Sequence, residues 1–153
     1  VTSSTTERGY TIKEAAALTG LPASTLRYYE QIGVIAPISR GASSRHRVYD
    51  EADLDQLMWI ACLAATGMSV GDMRQYVANG SIGPAAAAEQ VELLEEQQRR
   101  LAHEAQQVAL RQRYVAIKID YWHAVEAGDV ARAELISAEA RALADELRDT
   151  RTP

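Results

Sequence analysis

Between residues 85 and 126 the chain contains neither glycine nor proline, and its composition is dominated by Ala, Gln, Glu and Arg. Stepping alternately three and four residues from Val91 reaches Leu94, Gln98, Leu101, Ala105, Val108, Gln112, Val115, Ile119, Trp122 and Glu126. Eight of these eleven positions are apolar. That spacing predicts one helix with a heptad seam about five heptads long. At 1.5 Å per residue such a helix is roughly 60 Å long, too long to pack on a head of about 70 residues. Its stripe needs a partner helix, most simply the same helix of a second chain, with Gln98 and Gln112 helping to set register. The alternative is a helix folded back on its own chain. The only other long segment, "VARAELISAEARALADELRD", is too short to cover it. That last segment, after the break at Gly128–Asp129, is itself amphipathic through Ala133, Ile136, Ala140, Leu143 and Leu147.

The residues before the seam divide into short helices. Residues 1–9 are expected to be a flexible tail. Thr11 with Glu14 fits a capping box ahead of "IKEAAALTG". Gly20 closes that helix, and Pro22 opens a second that stops near Gly33. In "VIAPISRGASSRHRVYD", β-branched residues flank a turn around Gly41, Ser43 and Ser44 that carries Arg40, Arg45 and Arg47. This predicts a β-hairpin with a basic tip, as against an ordinary polar loop. Asp50 or Asp53 starts a third helix, with Leu54, Leu57, Met58, Ala61 and Cys62 expected on its buried face. Ser69 with Asp72 caps a fourth, closed by Asn79 and Gly80.

Charge narrows the choice of partner. The 153-residue chain has a net charge of −5. Residues 1–50 carry six cations (Arg8, Lys13, Arg27, Arg40, Arg45, Arg47) against four carboxylates, a net of +2. The remainder carries ten against seventeen, a net of −7. A polyanion would therefore dock on the first third, if it docks anywhere. One cysteine excludes an intrachain disulfide and a multi-thiolate zinc site. No apolar run is long enough to span a membrane, and the polar start "VTSSTTERG" lacks a signal-peptide core. A cytoplasmic protein is expected. No phosphate loop, metal-ligand spacing or nucleophile–base set is present, so an enzyme is not expected and neither is a cofactor.

Three stretches, "YTIKEAAALTGLPASTLRYYEQIGVIAP", "RHRVYDEADLDQL" and "ATGMSVGDMRQYV", resemble the N-terminal half of MerR-family transcriptional regulators almost continuously from residue 10 to residue 80. The resemblance implies a mainly α fold. A winged helix-turn-helix head (residues 10–80) precedes a linker and long dimerising antiparallel coiled-coil helix (81–127) and a C-terminal amphipathic helix and tail (128–153). It implies a homodimer that binds the spacer of double-stranded promoter DNA, distorts it on signal and so engages RNA polymerase. The second helix would enter the major groove. Carried over residue by residue, the DNA contacts fall on Thr11, Ser24, Arg27, Tyr28 and Tyr29, with Arg40, Arg45, Arg47 and Tyr49 on the wing. Arginine supplies a bidentate fork and tyrosine a hydroxyl on a packed ring. One departure is Pro22, where the family often has a serine cap. The alternative is a coiled-coil interaction module that has lost DNA binding.

The signal is less legible. Metal-sensing members of the family place two or more thiolates near the end of the long helix, and the redox member uses four cysteines. Here there is none at that place, and His46, His103 and His123 are scattered, so no metal is expected. "IACLAATGMSV" resembles the third-helix segment of the aldehyde-responsive (NmlR/AdhR-like) subfamily, with Cys62 at the position of its single cysteine. The flanking Ala61 and Ala64 stand where that subfamily commonly has a basic residue. Cys62 is either an electrophile sensor, which requires a thiolate, or a small core residue. Tyr114, Tyr121 and Trp122 either line a ligand pocket or pack as core.

Overall fold

The computed structural model describes residues 8–151, so the expected tail lies outside the described residues except for Arg8 and Gly9. The chain forms two compact units, Val1–Glu95 and Glu96–Pro153, divided inside the long helix.

In the first unit, α1 (Ile12–Thr19) opens on the expected capping box. Thr11 Oγ1 accepts from the Glu14 N–H, and Glu14 accepts from the Thr11 N–H, both at 3.2 Å. Gly20 ends α1 in the left-handed region, at φ 75°, and donates to the Ala16 carbonyl. α2 (Ala23–Gln31) follows at once. Pro22 lies at its N-cap, one residue before the helix, and supplies no side-chain cap. α3 (Glu51–Ala65) starts from a second capping box, Asp50 with Asp53. α4 (Val70–Ile82) starts from Ser69, whose hydroxyl accepts from the Asp72 N–H. These helices close around Leu26, Tyr29, Val34, Tyr49, Leu57 and Ile60.

Three sequence expectations are corrected in this unit. The wing is shorter than the expected hairpin: its two arms pair antiparallel through the bridge Arg40↔Arg47, with no longer strand ladder among the described residues. Tyr49, which would extend it, pairs instead with Tyr10 through two 2.8 Å backbone bonds. The backbone groups that would lengthen the wing are thus used to tie the N-terminal segment to the head. The buried stripe of α3 is Leu54, Leu57 and Ile60. Cys62 lies about 140° around the helix from Leu57, so it is exposed, as is Met58 at 49%. Finally, α4 runs through Asn79 and Gly80 to Ile82. Asn79 is turned inward rather than capping. It accepts from Gln75 at 2.8 Å and donates to Gln90 at 3.1 Å, while Gln90 donates to the Tyr76 carbonyl at 2.9 Å.

A 3-10 turn at Pro84–Ala86 leads into α5 (Ala87–Glu126), a single 40-residue helix. Gly128, at φ 71°, turns the chain into α6 (Val130–Asp149), whose Asp129 cap accepts from the Arg132 N–H at 3.1 Å. In the second unit Ala133, Ile136, Ala140 and Leu143 of α6 pack on Ile117 and Ala124 of α5, with Leu110, Tyr114 and Tyr121 partly buried beside them. The heptad seam is on a different side of α5. All eleven of its positions are exposed in the single chain, Trp122 at 64%.

Candidate nucleic-acid interface

Helical geometry sorts the residues of α2. Adjacent positions are about 100° apart, so Tyr28 and Tyr29 cannot share a surface. Tyr29 follows Leu26 into the core and is 6% exposed, whereas Ser24, Arg27 and Tyr28 (49%) face solvent. The two rings remain neighbours, with centroids 6.3 Å apart. The Tyr29 ring is therefore packed in the core, and burial pushes its phenol above the ordinary value. Thr11 stands exposed at the start of α1. Its oxygen accepts from Glu14, which leaves its O–H free to donate outward.

The wing is sorted in the same way. Arg40 and Arg45 are exposed, and neither has a carboxylate partner among the described residues. Arg45 takes the left-handed conformation, φ 59°, inside the turn. The Arg45 N–H donates to the Gly41 carbonyl and the Gly41 N–H to the His46 carbonyl, each at 2.9 Å. Tyr49 is wholly buried, and its hydroxyl has no hydrogen-bond partner among the described residues. Burial raises its pKa. The expected backbone grip by Tyr49 is thus replaced by a core role.

Arg47 is also committed internally. Its Nε donates to Glu30 Oε1 at 2.7 Å, and Glu30 Oε2 accepts from the Ile38 N–H at 2.7 Å. Both side chains are largely covered, 20% and 12% exposed. Burial alone would raise the Glu30 pKa, but the Ile38 amide and the Arg47 guanidinium together hold it below the usual carboxylate value. Glu30 is the residue that the sequence reading overlooked. The available signal was a carboxylate on a helix whose only other charge is Arg27, with the wing arginines among the cations that could pair with it. Tyr10 was missed too. Besides pairing with Tyr49, its hydroxyl donates to Glu51 at 2.7 Å, and Arg8 lies 5.2 Å from its ring centroid.

The residues left facing outward are Thr11, Ser24, Arg27 and Tyr28 with Arg40 and Arg45. They form a polar, cationic surface suited to an anionic backbone and to base edges. The remaining candidates are elsewhere. Cys62 is exposed on α3. Tyr114 and Tyr121 are half-buried against α6, with Lys118 Nζ 5.8 and 5.6 Å from their ring centroids. Trp122 projects outward, edge-on to Tyr121 at 5.3 Å. Among the described residues no acidic, His and Cys side chains cluster as a metal site would require, and no helix is long and apolar enough to cross a membrane.

Residues 10–80 match the MerR HTH family of regulatory proteins. The HTH-type transcriptional regulator AdhR of Bacillus subtilis is 33% identical over 90 residues, 59% of this chain and 64% of that protein. The Bacillus subtilis regulator YyaN is 41% identical over 73 residues, 48% of this chain and 52% of its own. The chain thus spans between half and two thirds of these curated relatives. A Haemophilus influenzae protein named "Probable heavy metal-dependent transcriptional regulator" is 34% identical over 112 residues, 73% of this chain and 84% of that one. Two crystal structures are similar. One is HiNmlR, a MerR family regulator lacking the sensor domain, bound to promoter DNA (TM-score 0.62, 26% identity, 78% of this chain and 94% of that one). The other is from Listeria monocytogenes (TM-score 0.66, 27% identity, 84% and 98%). The capped helix-turn-helix, the basic wing and the long helix are accordingly those of a regulator, and the chain belongs to the MerR HTH family of regulatory proteins.

Proposed function

We propose that the chain is a homodimeric transcriptional regulator. Its two heads bind one promoter duplex at the spacer and distort the DNA when a signal arrives, so that RNA polymerase engages. The observation that carries this reading is the outward face of α2 and the wing. Ser24, Arg27 and Tyr28 are exposed while Leu26 and Tyr29 anchor the helix beneath them. Promoter DNA bound by HiNmlR, which this chain covers over 94% of its length, supports it. Arg27→Ala is expected to leave the fold intact and to weaken duplex binding by about 1–3 kcal/mol. Titration of a promoter duplex at several salt concentrations measures this. Unchanged affinity and an unchanged salt slope would refute the docking.

For the input, the exposed Cys62 supports an electrophile such as an aldehyde. The sulfur would attack the carbonyl carbon, an S–C bond would form as the carbonyl opens, and the thiol proton would end on oxygen as a thiohemiacetal. Cys62→Ser should then keep promoter binding and lose aldehyde-dependent transcription in vitro. Equal responses of the two proteins would remove Cys62 from the mechanism.

A further inference from the structure

The far end of the second unit is finished by an arginine rather than by apolar packing. Arg111 of α5 donates through Nε to Thr150 Oγ1 at 3.2 Å and through Nη2 to the Thr150 carbonyl. Thr150 is buried, and its hydroxyl in turn donates to the Leu147 carbonyl at 2.6 Å. The exposed carbonyls at a helix C-terminus carry partial negative charge. Arg111 therefore neutralises the end of α6 and fixes it against α5.

Beside this clasp lies a cavity of about 380 Å³. Its lining combines the apolar side chains of Tyr114, Val115 and Leu147 with Arg111, Arg148, Thr150 and Arg151. Small-ligand sites have this size and this mixture, an apolar body with a few polar groups that fix orientation. The charge is informative because the chain as a whole carries −5, yet among the described residues no carboxylate lines the cavity. Arg148 is paired with Asp145 on the outer side of α6, and Asp149 is close in sequence. Arg111 faces the helix end. The Arg151 guanidinium has no hydrogen bond or ion pair among the described residues.

We infer that this cavity binds an amphipathic anion, an aromatic carboxylate, with its ring on Tyr114, Val115 and Leu147 and its carboxylate on Arg151 beside Arg111. A cation would meet the Arg151 guanidinium with no carboxylate of the described lining to hold it. A neutral ring would leave Arg151 unanswered. An arginine accepts a carboxylate through a planar fork, which gives orientation as well as attraction. Val115 belongs to the seam as well, so occupancy would be felt where a second copy packs. The consequence for transcription rests on the regulator reading proposed above, but the binding itself does not.

Isothermal titration calorimetry of the full chain with naphthalene-2-carboxylate, and separately with its neutral carboxamide, tests the assignment. One saturable site per chain is expected, with the carboxamide weaker by about tenfold or more. Arg151→Gln should weaken the carboxylate by a similar factor and leave the carboxamide unchanged. Leu147→Trp, with its fold checked by thermal melting, should block both. Arg27→Ala should bind the carboxylate as wild type does, so a failure of DNA docking is distinguishable from a failure of this site. Absence of saturable binding, equal affinity for the two probes, or indifference to Arg151→Gln would overturn the proposal.

Discussion

At the scale of residues, the most consequential contact in the head joins two residues that a contact list would place on opposite sides of the question. Glu30 sits on α2, the helix proposed to face DNA, yet its carboxylate is turned in to hold Arg47 and the Ile38 amide. Arg47 thereby becomes the strut that fixes the wing to α2, and Arg40 and Arg45 remain exposed. Removing Glu30 would strand a largely covered guanidinium and a backbone N–H. Glu30→Gln should therefore destabilise the head by about 1–3 kcal/mol near neutral pH. The pH dependence has a definite sign. The folded pKa of Glu30 lies below its ordinary value. Its contribution is then complete above the unfolded carboxylate pKa and is lost as pH falls through the folded one. The stability difference between wild type and Glu30→Gln should be constant from neutral pH down to the ordinary carboxylate range and shrink below it. Urea denaturation across that range measures it, and a difference that grew on acidification would show that Glu30 is not held as an anion by these partners.

At the scale of elements, what was legible in the sequence is what local chemistry decides. The Thr11–Glu14 box, the Ser69 cap with Asp72, the helix-ending Gly20 and Gly128, and the 40-residue helix without a breaker all follow from rules of short range. The exceptions required knowledge of tertiary partners. Asn79 reads as a helix stop, but its side chain is satisfied by Gln75 and Gln90, and the helix continues. Leu54, Leu57, Met58 and Cys62 all fit one helical stripe in sequence. Only the packing of the head selects Leu54 and Leu57 and leaves Met58 and Cys62 outside. Tyr49 reads as a wing contact by family resemblance, but its backbone pairs with Tyr10 and its ring is buried. In the candidate interface, Arg27, Tyr28 and Ser24 followed from helical spacing and resemblance. The Glu30–Arg47 pair spans 17 residues between helix and wing, a separation that no periodicity reports. Charge along α5 carries a further element-scale message. Residues 87–106 hold five Glu and two Arg, a net of −3, and residues 107–126 hold three cations and two carboxylates, a net of +1. Two copies laid antiparallel place the acidic half of each beside the basic half of the other, whereas a parallel pair sets like against like.

At the scale of the whole molecule, the exposed seam and the cationic head make one connected prediction. Val91 to Glu126 is symmetric about a point next to Val108, so in an antiparallel pair Val108 packs near its own copy. Val108→Glu would place two like charges together in a surface that loses its water on association. The helix itself should survive, because Val108 is exposed in the single chain and lies outside the apolar cluster that α5 shares with α6. Sedimentation at micromolar concentration should therefore find wild type as a dimer and Val108→Glu as a folded monomer. DNA binding then reports on the same event. Each head presents Arg27, Arg40 and Arg45 without carboxylate partners among the described residues. If each cation displaces one counterion, the slope of log K against log salt is about −2.7 for one head and about −5 for two. The monomeric variant should show about half the wild-type slope on the same promoter duplex, with correspondingly weaker binding. A variant that remained dimeric would mean that α5 does not pair through this seam. A monomer that kept the full slope would mean that one head makes all the contacts, and the two-headed docking would have to be abandoned.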